Sequence, residues 1–117
     1  RPWLYRLRAF DEAGVATGGS TDAPYGSADP WRAMRAAVDR RTAAGRELSG
    51  GEGVTPERAL RLFTTDPSAP GGPAREVVVG GDADLVLLHT PWAAARESLD
   101  AELVRAVLGA GRLLAGG

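Results

Sequence analysis

Gly14-Val15-Ala16-Thr17-Gly18-Gly19-Ser20-Thr21-Asp22-Ala23-Pro24 is the stretch on which the fold turns. Its first part, residues 14–18, is small and β-like and reads as a short buried strand. A carboxylate then follows at the strand's carboxyl end, where parallel α/β folds place their chemistry. Asp22 is therefore the first candidate for a metal ligand or a general base. The competing reading is a turn residue bonded to its own backbone, as Asp among Gly, Ser and Pro commonly is. A divalent ion takes about three or four protein ligands, and the chain is poor in them, with no cysteine, no lysine and a single histidine.

Upstream, Trp3, Leu7 and Phe10 recur at helical spacing and Gly14 follows as a C′ residue, which predicts a helix over residues 2–13. Downstream, Asp29-Pro30 is an N-cap and N1 pair. Trp31, Met34, Ala37 and Val38 supply an inward face, and the helix is expected to run to Ala44 and stop at Gly45. Residues 46–54 read as a loop. Thr55-Pro56 repeats the start signal, with Ala59, Leu60, Leu62 and Phe63 on one face, and that helix should end before Asp66-Pro67.

The Pro- and Gly-rich run 67–73 reads as a boundary, giving two parts, 1–66 and 74–117. Beyond it, Glu76-Val77-Val78-Val79 and Leu85-Val86-Leu87-Leu88 are β-rich runs separated by Gly80-Gly81-Asp82. The final segment fits a helix through Leu99, Leu103, Val107 and Leu108, and equally a hairpin around Gly109-Ala110-Gly111; periodicity alone leaves both open.

Composition excludes several classes. All 14 basic residues are arginine, dispersed among 15 acids for a net charge of −1, so no basic stripe for nucleic acid and no attraction to an anionic membrane is visible. Without cysteine there are no disulfides or thiolate metal sites, and no apolar run approaches a membrane span. With no signal-peptide pattern at its start, a cytoplasmic location is the expectation.

Other candidates each have a plainer reading. His89 ends an apolar run and reads as a strand-end residue rather than a metal or acid/base group. Asp82 and Asp84 could pair as carboxylates but read as turn and strand caps. Gly18-Gly19-Ser20-Thr21-Asp22 lacks the second glycine of a nucleophile elbow. The glycine pairs match no phosphate or dinucleotide spacing, and Trp3, Trp31 and Trp92 read as packing residues.

Taken together, these pieces resemble the carboxyl-terminal part of the amidohydrolase superfamily, in its family 3 group of metal-dependent amide and formamide hydrolases. Gly14-Val15-Ala16 into Gly19-Ser20-Thr21-Asp22-Ala23-Pro24 looks like the last barrel strand and its acidic loop. Asp29-Pro30-Trp31 with Ala36-Ala37-Val38-Asp39-Arg40 is similar to the helix that follows it, and Thr55-Pro56-Glu57-Arg58-Ala59-Leu60 with Phe63-Thr64 to the post-barrel helix. Val79-Gly80-Gly81-Asp82-Ala83-Asp84-Leu85-Val86-Leu87-Leu88 resembles the return into a small β-sandwich. Val104 to Val107 with Gly111-Arg112 resembles the last hairpin, which favours strands for that segment.

The resemblance implies an α/β fold: the C-terminal fragment of a (β/α)8 TIM-type barrel, with its last strand and helices, followed by a β-sandwich subdomain. It implies Asp22 as the strand-8 metal ligand and general base, a divalent ion such as zinc, and a small-molecule amide-type substrate. The family's barrel histidines and any bridging lysine are not in this chain, so the fragment alone is expected to be inactive. Its cut faces suggest a homo-oligomer. The alternative from another class is a non-catalytic folded module that self-associates or binds a partner.

Overall fold

A computed structural model describes residues 4–117, so the expectation placed on Trp3 lies outside the described residues. The first helix, α1 (Leu7–Glu12), begins later than the expected residue 2, residues 4–6 being non-helical, and ends as Gly14 requires. Gly14 takes φ 69°, its N–H reaches Asp11 O at 3.0 Å, and the Val15 N–H reaches Phe10 O at 2.9 Å. This paired closure satisfies carbonyls that a helix end would otherwise leave open.

Helix α2 (Pro30–Asp39) begins as its sequence dictates, with an Asp29 carboxylate oxygen accepting from Trp31 N–H at 2.9 Å and Pro30 at N1. Its end departs from the expected Ala44. Arg40 turns left-handed at φ 53°, and its guanidinium donates to the carbonyls of Leu48 (3.0 Å) and Leu4 (2.8 Å). Residues 41–47 then close a small loop through the Arg41–Glu47 bridge. Helix α3 (Pro56–Arg61) is capped by the Thr55 hydroxyl, which accepts from Arg58 N–H at 3.1 Å. The α2 side chains Trp31, Met34 and Ala37, spaced along one face, are buried along with Ala59 of α3 and Leu62, and the two helices pack together.

Helix α1 has no capping side chain of its own; Arg6 occupies the N-cap position, and its side chain makes no capping bond. A 3₁₀ turn at Gly50–Glu52 supplies one from afar, because Glu52 accepts from Ala9 N–H at 3.0 Å and from Arg6 Nε at 3.4 Å. The Ala9 N–H, followed by the Arg6 guanidinium, holds the Glu52 carboxyl below the ordinary glutamate value, against the opposing effect of desolvation. A depressed folded pKa stabilises the fold above the ordinary glutamate pKa, and that contribution is lost as pH falls through the folded value. Glu52→Gln is thus expected to unfold at lower temperature than the native chain at neutral pH. The gap should close in acid, and a gap that is constant with pH by thermal melts would refute the assignment.

The chain divides into two compact units, the first through Arg75 and the second Glu76–Gly117. The Pro- and Gly-rich run folds back inside the first unit, where Thr65 bridges Ala74 and Arg75 N–H donates to Thr64 O at 2.8 Å. The second unit holds one antiparallel sheet in the order β1 (Leu85–Leu88), β2 (Val104–Gly109), β3 (Arg112–Gly116), with a short helix α4 (Trp92–Ala95) between β1 and β2. Leu85 pairs with Leu108 and Leu87 with Ala106. The β2–β3 turn, Ala110-Gly111, has positive φ at both residues, the geometry that matches hairpin twist. Ala95, Leu99 and Ala106 form its small buried core.

Two expected strands do not form. Residues 15–18 join no strand ladder, and Val15 is exposed rather than buried. Glu76-Val77-Val78-Val79 likewise joins no ladder, and its valines face solvent. A strand exists through its neighbour's hydrogen bonds, and nothing among the described residues aligns with either run. The described residues accordingly form a mixed α/β architecture with one three-stranded antiparallel sheet, and among them neither a barrel nor a second sandwich layer is formed. No described helix is long and apolar enough to cross a membrane.

Candidate functional site

The segment leading to Asp22 is held by close backbone approach rather than by a ladder. Gly19 N–H donates to Leu62 O at 2.8 Å, and a Cβ at Gly19 would come within 2.8 Å of Leu62 and the Phe63 ring. At Gly18 a Cβ would lie 2.7 Å from Pro70. Only glycine lets the chain run this tightly over the end of α3. The backbone groups of Ala16, Thr17 and Gly18, by contrast, make no backbone hydrogen bond among the described residues.

Asp22 itself sits in a turn at φ 53°, a left-handed position that Asp tolerates. Its N–H donates to Ser20 Oγ at 3.2 Å and its carbonyl accepts from Gly26 N–H at 3.0 Å; the next peptide, Ala23–Pro24, is cis. The carboxylate is exposed and accepts no hydrogen bond among the described residues. The turn is therefore made by the Asp22 backbone, leaving its oxygens available to something else.

A second feature lies along the same segment. Arg58, on α3, makes a two-pronged pair with Asp11 of α1, Nε to Oδ2 at 2.8 Å and Nη2 to Oδ1 at 2.7 Å. The same Nη2 donates to Thr17 Oγ1 at 2.6 Å. These three side chains, with Arg61, Thr65 and Gly71, line a cleft of about 420 Å³, and Asp22 is not among its lining residues. Spacing could not have revealed this clamp, since its partners lie 47 and 41 positions apart.

The remaining candidates take structural places. His89 is exposed at the end of β1, its N–H donating to Leu103 O at 2.8 Å. Asp84 Oδ1 accepts from Ala110 N–H at 2.8 Å and so ties the β2–β3 turn instead of forming a carboxylate pair. Trp31 is core in α2, and Trp92 is half-buried in α4. Among the described residues no three His, Cys, Asp or Glu side chains converge to hold a metal ion. The described residues alone do not complete a metal site; Asp22 would supply one carboxylate ligand to it.

Comparison with known proteins agrees with the direction of these observations. The family model described as amidohydrolase family matches residues 1–115. An N-substituted formamide deformylase of Arthrobacter pascens is 35% identical over 88 residues, covering 73% of this chain and 16% of that protein. The chain thus spans about a sixth of the length of this curated relative, and no solved structure matches it. A match that runs through both units and takes in the turn carrying Asp22 places the chain in a family that is generally metal-dependent: it belongs to the amidohydrolase family.

Proposed function

We propose that this chain is the carboxyl-terminal part of a longer hydrolase that breaks carbon–nitrogen bonds other than peptide bonds, and that Asp22 is its contribution to the active site. The observation that carries the reading is the Asp22 carboxylate, exposed and without a hydrogen-bond donor among the described residues, at the end of a segment pressed onto α3. The unpaired backbone of residues 16–18 supports a place for this segment as the last strand of a (β/α)8 barrel. The relative's name points to N-substituted formamides as the substrate class.

In that setting Asp22 accepts a proton as water adds to the formyl carbon, then delivers it to the nitrogen as the C–N bond breaks, releasing formate and an amine. A divalent ion, zinc or a similar one, would polarise the carbonyl and acidify the water. Asp22 would be one of its ligands, and the others would come from outside this chain. Hydrolysis of an N-substituted formamide by the whole protein, native and Asp22→Asn, tests the proposal. Full activity in the variant would end it.

One observation favours a second reading, a module that self-associates. Val77, Val78 and Val79 are 85%, 58% and 106% exposed in a β-rich run that joins no ladder, and exposed β-rich runs of this kind can pair between chains. Light scattering decides. A dimer that Val78→Lys dissociates supports this reading, and a monodisperse native monomer removes it.

A further inference from the structure

We infer that Arg58 is a positioning residue for Asp22, acting through the Thr17 hydroxyl; the inference rests on the reading of Asp22 above. The stretch from Val15 to Asp22 has no ladder to set its register. Its polar ties to α3 and the turn just beyond are Arg58 Nη2 to Thr17 Oγ1, 2.6 Å, and Gly19 N–H to Leu62 O, 2.8 Å. The first is the more constrained, because its donor is immobilised on two sides. The Arg58 backbone is locked in the first turn of α3 by the Thr55 hydroxyl at 3.1 Å, and its guanidinium fork is gripped by both Asp11 oxygens at 2.8 and 2.7 Å.

A planar guanidinium held in this way leaves one N–H direction for Thr17, so the hydroxyl is fixed in orientation as well as distance. Asp11 also neutralises Arg58, which removes a long-range electrostatic effect on Asp22 as the explanation. What remains is geometry: Thr17 sets where the segment passes α3, and residues 18–22 follow from there. Small displacements of a reacting group are costly to a rate even when the fold survives.

Thr17→Val deletes the hydroxyl while keeping shape, and Thr17→Ser keeps the hydroxyl. In the whole protein, Thr17→Val is expected to lower kcat about tenfold with KM changed by less than about twofold, and Thr17→Ser to retain native kcat. In the same protein, amide hydrogen exchange at Gly19 and Asp22, the amides of this segment that donate hydrogen bonds, should quicken in Thr17→Val alone, with little change in Tm. The inference is overturned if Thr17→Val keeps native kcat and exchange, or if Thr17→Ser is equally impaired. Asp22→Asn separates the two ideas. If that variant stays active, the reading of Asp22 fails, while the exchange contrast between the Thr17 variants still reports whether the clamp sets the segment.

Discussion

Asp22→Asn in the whole protein should lose about 10²- to 10⁴-fold in kcat, the range associated with a general base. Asn has the same shape but cannot take a proton from water at neutral pH. The substitution is unusually clean at this position. Asp22 holds φ 53°, which Asn adopts as readily as Asp, and the carboxylate makes no hydrogen bond among the described residues that folding would miss. The bonds that build the turn, Asp22 N–H to Ser20 Oγ and Gly26 N–H to Asp22 O, involve backbone atoms that the variant keeps. Thermal stability should therefore stay near native while kcat collapses. A parallel fall in Tm would instead assign the loss to folding.

The largest effect on stability is expected at Arg40. It is 4% exposed, and its guanidinium donates to Leu48 O at 3.0 Å and Leu4 O at 2.8 Å, tying the end of α2 to two distant stretches of backbone. Arg40→Met retains the apolar stem but leaves both carbonyls without this donor. Hydrogen bonds from charged groups contribute about 1.5–3 kcal/mol each; after allowing for the cost of keeping the charge buried, a net loss of about 3 kcal/mol follows. Arg40→Gly relieves the left-handed backbone by about 1–2 kcal/mol, yet loses the same bonds, so it too should be less stable than the native chain. The Arg40→Met loss is large enough to read as a fall of about 10 °C or more in Tm by circular dichroism, and the fall in Arg40→Gly should be smaller. A native Tm in Arg40→Met would show that these bonds add nothing net.

Several features were legible because their causes are local. Asp29-Pro30 and Thr55-Pro56 start helices through side-chain bonds that span two or three residues, and Gly14 ends one through its own φ. Ala110-Gly111 could be read as a turn, although choosing the hairpin over a helix needed the family resemblance. Asp22 was singled out by its neighbours, and the match across residues 1–115 bears out the family. The expected strands at 15–18 and 76–79 failed for a shared reason: β composition states a capacity to pair, and these runs find no partner among the described residues.

By itself, then, the sequence determined the starts of α2 and α3 and the first helix's glycine stop, because each depends on residues within a few positions of one another, and its pieces taken together pointed to the family and to Asp22 as the carboxylate to test. Tertiary structure alone decided that α2 stops at Asp39, that Glu52 caps α1, and that Arg58 grips Asp11 and Thr17. Those contacts join residues 36 to 47 positions apart, where the choice among many charged side chains is made by packing geometry and has no periodicity to announce it.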